Sequence, residues 1–171
     1  LFNVSGYGNF KVNKLGVVLM DYKTRSEEIY KNGQLIKYTS TTQQNDKNKF
    51  ANIKIQNKKF IIDGSSFKGQ TENNIPIGNW WNHQIVNNSK QISPISGSIN
   101  KQKVTFLGKK ELIMNGKNYK ALHFHFMSDD AKPAKKKKIN IQIWYDAQSL
   151  IWIKASYDKL GKWEYRLSRV Q

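Results

Sequence analysis

Three histidines, His83, His123 and His125, are the side chains of this sequence best suited to hold a metal ion. His123 and His125 stand two apart in Leu122-His-Phe-His-Phe126, a spacing that on a strand sends both imidazoles to one face and Leu122, Phe124 and Phe126 to the other. With His83 folded beside them, they would offer Zn²⁺ three nitrogens and an open fourth position. A water bound there loses its proton near neutral pH, which is a hydrolytic or hydratase arrangement. The competing reading is a solvated or hydrogen-bonded pair on the polar side of a half-exposed strand, which needs no metal. Among the twelve acidic residues, Glu28 and Asp146 sit beside aromatics in strand contexts where burial would raise a carboxyl pKa. A turn cap or an ion pair with one of the many lysines is the alternative for each. There is no cysteine, so disulfides, thiolate metal sites and a Cys nucleophile are excluded together. No nucleophile elbow, HExxH helix, P-loop or dinucleotide fingerprint occurs.

The aromatic residues form the second constellation: five Trp, eight Tyr and eight Phe. Trp144, Trp152 and Trp163 fall in successive strand-like segments, so on a common face they would meet one another and Phe124 across a sheet. Such a wall either fills a core or lines a pocket for a lipid-like or other apolar ligand. The Trp80-Trp81 segment would then serve as its lid.

Short β-branched and aromatic runs must carry these groups. Phe60-Ile-Ile62, Val104-Thr-Phe-Leu107, Leu122–Phe126 and Ile139–Tyr145 are each bounded by Gly, Asn, Asp or Lys-rich breaks. Turn signals at Asn32-Gly33, Asp63-Gly64, Asn115-Gly116 and Lys159-Leu-Gly-Lys162 predict antiparallel hairpins. Only residues 79–86 predict a helix, a short one with Asn79 as its cap and Trp81 and Ile85 four apart on one side. Lys132-Pro-Ala-Lys-Lys-Lys-Lys138 reads as a solvated hairpin tip. The chain is thus expected to be all-β: one β-rich domain over 1–171, a strongly curved antiparallel meander sheet or a partly open β-barrel with one short helix.

The formal charge of +17 comes from 26 Lys but only 3 Arg, with 18 Asn and 18 Ile beside them. Proteins that grip phosphates favour the planar fork of Arg, so nucleic acid is disfavoured as a partner. Compositional drift toward A/T-rich codons explains the lysines better than a selected anion-binding surface does. Either way such a surface attracts anionic lipid headgroups weakly, within about 8–10 Å at physiological salt. No run approaches the roughly 18–20 apolar residues of a membrane helix. A first residue of Leu1 rather than Met is what a precursor trimmed of its signal peptide, or an edited chain, would leave.

Three stretches carry a family resemblance. Glu28-Ile-Tyr-Lys-Asn-Gly-Gln-Leu-Ile-Lys-Tyr-Thr-Ser-Thr-Thr42 is an acidic-aromatic strand, a Gly turn and a Ser/Thr-rich strand. Ile143-Trp-Tyr-Asp146, Leu150-Ile-Trp-Ile-Lys154 and Gly161-Lys-Trp-Glu-Tyr-Arg-Leu167 are the closing hairpins, with Gly64-Ser-Ser-Phe-Lys-Gly69 and Trp80-Trp81 between. Over roughly Glu28 to Leu167 the pattern resembles the DUF6134 family of uncharacterised exported bacterial proteins and, more distantly, DUF3108. The resemblance implies a curved β-sheet and export to the periplasm or cell envelope; it implies no catalytic residues. A non-enzymatic envelope protein, with the aromatic wall as its ligand site, is the expected function. A His-based metal enzyme and a ligand-free structural or interaction module are the alternatives.

Overall fold

The computed structural model describes residues 1–158 and 162–168. The alternation read from the sequence builds strands almost throughout. β1 (Phe2–Lys14), β2 (Val17–Lys31), β3 (Gln34–Gln44), β4 (Lys47–Gln56), β5 (Lys59–Gly64) and β6 (Lys68–Glu72) form one six-stranded sheet in chain order. β7 (Lys90–Ile92), β8 (Ile99–Met114), β9 (Lys117–Ser128), β10 (Asn140–Asp146), β11 (Trp152–Asp158) and β12 (Lys162–Arg166) form the other, again in chain order. Both are antiparallel, and one curls strongly into a half-barrel. The fold is therefore all-β and a meander, as expected, with the meander divided into two sheets. Among the described residues no helix is long and apolar enough to cross a membrane.

The helix expected over 79–86 is a single 3₁₀ turn, His83–Asn87, and its cap is Asn82 rather than Asn79. Asn82 Oδ1 accepts the Gln84 N–H at 3.0 Å, which satisfies one of the turn's exposed donors. Starting three residues later leaves Trp81 outside the turn and exposed, while Ile85 is buried.

The chain divides into two compact units, Leu1–Ile77 with Ile92–Ile99, and Gly78–Gln91 with Asn100–Gln171. In the first, Leu35, Tyr38, Ala51, Ile53, Phe60, Ile62, Ile75, Ile77 and Ile92 make the core. Leu35 and Tyr38 stand three apart, which plain alternation would put on opposite faces. A bulge on β3 at Ile36, where Leu35 opposes Tyr30 and Lys37 opposes Ile29, turns both inward. Each fully buried side chain of this kind stabilises the fold by roughly 1.5–3 kcal/mol.

Among the described residues five two-residue turns join adjacent strands: Leu15-Gly16, Asn32-Gly33, Asn45-Asp46, Asn57-Lys58 and Asn115-Gly116. In each, the first residue takes a left-handed conformation, with φ of 49°, 51°, 53°, 50° and 52° respectively. Asn tolerates that region; Leu pays a steric penalty of roughly 1–2 kcal/mol there. Asp63-Gly64, read from the sequence as a turn, instead closes β5, and Ser65–Phe67 makes the connection to β6. Gly64 is needed for close approach, since a Cβ there would stand 2.4 Å from the Ser96 carbonyl oxygen. The turn expected at Lys159-Leu-Gly-Lys162 lies, apart from Lys162, outside the described residues.

Candidate functional site

β9, β10 and β11 carry most of the predicted site residues, and their register sorts these side chains onto two faces. Ile143 opposes Phe124 and Ala155, and Trp144 opposes His123 and Lys154. Regular alternation on β11 would place Trp152 with Lys154, on the face of Trp144. A bulge at Ile153 intervenes, so that Tyr145 opposes Trp152 while Trp144 still opposes Lys154. Trp152 thereby joins the face of Ile143 and Tyr145. Trp163 opposes Tyr157, two residues along from Ala155 on that same face. The tryptophans expected to share one wall are therefore split, Trp152 and Trp163 on one side and Trp144 on the other.

The first face is aromatic. Phe126, Ile143, Tyr145, Ala155 and Ile85 form its buried centre, with Trp80, Phe124 and Trp152 packed around them. Trp80 reaches it from the segment before the 3₁₀ turn, its ring 5.9 Å from that of Trp152 and 5.6 Å from that of Tyr165. His83 stands edge-on to Tyr145 at 4.7 Å and 84°, and lies 5.9 Å from Phe124. Gln102 ties this segment down: its amide donates to the Asn88 carbonyl at 2.9 Å and accepts from Gln91 Nε2 at 2.6 Å.

Within this face three polar atoms, His83 Nε2, Tyr145 Oη and Trp152 Nε1, are buried with no hydrogen-bond partner among the described residues. A buried donor or acceptor left unpaired costs about 1–3 kcal/mol, so three on touching or register-paired rings is a large deficit for one surface. Burial lowers the His83 pKa below 6.5, so the imidazole is neutral at pH 7. Burial also raises the Tyr145 phenol far above its ordinary value of 10.0. The three atoms are uncharged groups, two N–H or O–H donors and an imidazole nitrogen whose role depends on its tautomer.

The opposite face is mixed: Met114, Ala121, Trp144 and Ile153 form a buried apolar cluster, and beside it a polar ladder runs across four strands. His123 stacks on Trp144 at 4.1 Å and 10°, and Lys154 Nζ sits 4.7 Å from the Trp144 ring centre. Lys154 Nζ pairs with Glu164 Oε1 at 2.5 Å, and Glu164 Oε2 with Arg166 at 2.6 Å. These two cations hold the Glu164 carboxyl below its usual range. His123 Nε2 lies 2.8 Å from Gln142 Oε1, and His125 Nε2 lies 2.8 Å from Asn140 Oδ1. The His123 pKa is lowered, chiefly by burial and further by the charges of Lys110 and Lys154.

The expected metal site is not assembled. His123 and His125 share a face as their spacing requires, but His83 packs against Phe124 and Tyr145 on the other side of the sheet. Among the described residues no three His, Cys, Asp or Glu side chains are grouped to hold a metal ion. The two singled-out carboxylates have local partners. Asp146 caps the turn after β10, accepting from Ser149 N–H at 2.8 Å and Ser149 Oγ at 2.6 Å, which lowers its pKa. Buried Glu28 accepts from Tyr30 Oη at 2.6 Å. Lys137 departs from the solvated lysine tip: its mostly buried ammonium donates to the Ser128 carbonyl at 2.8 Å and pairs with Asp130 at 3.1 Å.

Of the aromatic residues expected to line a ligand site, Trp80, Phe124 and Trp152 are brought together, Trp163 shares their face and Trp81 is exposed. Tyr145 and Tyr165 were missed. Tyr145 was signalled by Ile141-x-Ile143-x-Tyr145, whose alternation puts the phenol among the isoleucines.

Fold and face together define an all-β meander protein whose second sheet carries an aromatic side and a side where a polar ladder lies beside an apolar cluster. The family model described as a domain of unknown function, DUF6134, matches residues 4–168, and the chain belongs to that family. No curated protein and no solved structure matches the chain.

Proposed function

We propose that this is a non-enzymatic protein of the cell envelope, exported to the periplasm, that holds a lipid-like molecule on the aromatic face of β9–β12. The observation that carries this reading is the set of three unpaired buried atoms, His83 Nε2, Tyr145 Oη and Trp152 Nε1, among rings that otherwise pack as a core. A core residue whose only task is filling space would be Phe at position 145. Tyrosine and tryptophan put polar handles on apolar bodies, as binding surfaces require. The neutrality of all three handles selects the ligand class: an apolar body bearing an uncharged oxygen, such as an ester, an amide or a hydroxyl group, rather than a carboxylate or phosphate. Trp80, held against Trp152 and Tyr165 by a short capped turn, is the cover.

The test is native mass spectrometry of protein purified without detergent and then incubated with lipid extract from the producing cells. One bound species per chain is expected, with its yield cut in Tyr145→Phe and Trp152→Phe. Only unliganded mass in every sample, together with an experimental structure placing ordered water on all three atoms, would sink the reading.

A further inference from the structure

Four of the five two-residue turns begin with Asn at the left-handed position, and the fifth begins with Leu15. Leu15 is strained there and also 96% exposed. Its neighbours compound the anomaly, because Val17, Val18 and Leu19 are exposed as well, at 60%, 49% and 37%. Four apolar side chains in water around one turn contribute nothing to folding, and the only turn residue without a polar side chain at this position sits among them.

The register sets this tip apart, although Val12 within the ribbon is buried. β2 pairs with β3 only from Tyr22, opposite Gln44, whereas β1 and β2 go on pairing out to Lys14 and Val17. Among the described residues the ribbon beyond Asp21 pairs with no third strand, and it extends on the order of 15 Å past β3. At its base Phe10 stacks on Tyr22 at 4.8 Å, which stiffens the stem. Lysines flank the apolar tip: residues 11–23 contain Lys11, Lys14 and Lys23 against the single carboxylate Asp21, which pairs with Lys11 at 3.3 Å.

We infer that the β1–β2 tip, Leu15-Gly-Val-Val-Leu19, is a membrane anchor that inserts its apolar side chains into an anionic lipid surface while the lysines behind it meet the headgroups. The chemistry matches interfacial insertion: apolar side chains enter the acyl boundary, and cations just behind them are drawn to negative lipid. A twofold signal of this kind gives reversible docking, stronger than the diffuse attraction of a basic surface. The inference is independent of the aromatic face.

The test uses flotation with vesicles of equimolar phosphatidylglycerol and phosphatidylcholine, and with phosphatidylcholine alone. The full chain is expected to float with the anionic vesicles and to retain part of that binding at high salt. Leu15→Asn, which installs the residue used by the other four turns, should fold normally and bind about tenfold less; Leu15→Asn with Val17→Thr and Leu19→Thr should lose more. Because the chain lacks cysteine, Val17→Cys can carry a polarity-sensitive dye whose emission should shift to the blue on anionic vesicles. Equal binding by the full chain and the triple variant, no binding to either vesicle, or a dye that stays in water would each overturn the anchor. So would a concentration-dependent dimer that Leu15→Asn dissolves, which would show the tip covered by a second copy instead.

Discussion

Tyr38 and Tyr145 are both buried, at 1% and 0% exposure, each on the core side of a six-stranded sheet. Burial raises both phenols well above their ordinary pKa. Their hydroxyls differ. Tyr38 Oη donates to the Pro94 carbonyl at 2.9 Å, and Ser40 Oγ donates to the same carbonyl at 2.5 Å. Tyr145 Oη has no partner among the described residues, and neither do His83 Nε2 and Trp152 Nε1 beside it. Among the described residues the first unit leaves no buried side-chain nitrogen or oxygen unpaired and so reads as scaffold. The second leaves His83 Nε2, Tyr145 Oη and Trp152 Nε1 unpaired on its aromatic face and His123 Nδ1 unpaired on the opposite one, and under the proposed function the first three are the atoms a ligand would complete.

The largest test of this contrast is truncation on each side of it. Phe60→Ala empties the centre of the first core, where Phe60 sits opposite Thr71 and Ile55, and should cost about 3–5 kcal/mol in urea unfolding. Trp80→Ala removes a partly buried ring lying over the second sheet. It should cost less, about 1–3 kcal/mol, while abolishing retention of a bound lipid in native mass spectrometry. Were Trp80→Ala as damaging as Phe60→Ala and without effect on ligand, the aromatic face would be another core.

A finer test exchanges one oxygen in each unit. Tyr38→Phe takes a donor from the Pro94 carbonyl and should lower stability by about 1 kcal/mol, Ser40 still serving that oxygen. Tyr145→Phe removes a hydroxyl that has no protein partner, so in lipid-free protein it should be neutral or stabilising. In lipid-loaded protein the sign should reverse, since a bond to the ligand is lost. The same sign in both forms would detach Tyr145 from any binding role.

The strands and the meander were legible because β-branched alternation and Asn-Gly turns act locally, within a few residues. The face assignments were legible only as far as the first irregularity. His123 and His125 fell on one side as their spacing dictated, whereas Trp144 and Trp152 were separated by a bulge at Ile153 that no residue type announces. Bulges are set by how strands pair across the sheet, and single-strand periodicity carries no record of that pairing. The 3₁₀ turn shifted for a related reason. Asn79 and Asn82 are equal candidates as caps, and the choice falls to Asn82 because Ile85 is then the residue buried on the sheet. Leu15-Gly16 was overlooked as a turn for the very feature that gives it interest: leucine is a poor residue for the position.

The smallest effect is a pH dependence that reports how dry the aromatic face is. In the unfolded chain His83 titrates near 6.5, whereas in the folded chain burial lowers its pKa. Between the two values the unfolded state binds more protons, so stability is greatest above about 6.5, falls as pH drops through that window, and levels off below the folded-state value. His123, also lowered by burial, adds a slope of the same sign from the polar face. Asp146 and Glu164 are held below their ordinary range by Ser149 and by Lys154 with Arg166, so the stability they add is lost only at lower pH, below about 4. The slope between pH 7 and 5 in urea midpoints thus belongs to the two histidines, and His83→Gln and His123→Gln should each remove a share. A lipid on the aromatic face keeps water from His83, so loading should steepen the share that His83→Gln abolishes and leave that of His123 unchanged. If His83→Gln leaves the slope intact, its imidazole is as well hydrated in the folded state as in the unfolded one, and the difference between the two units disappears.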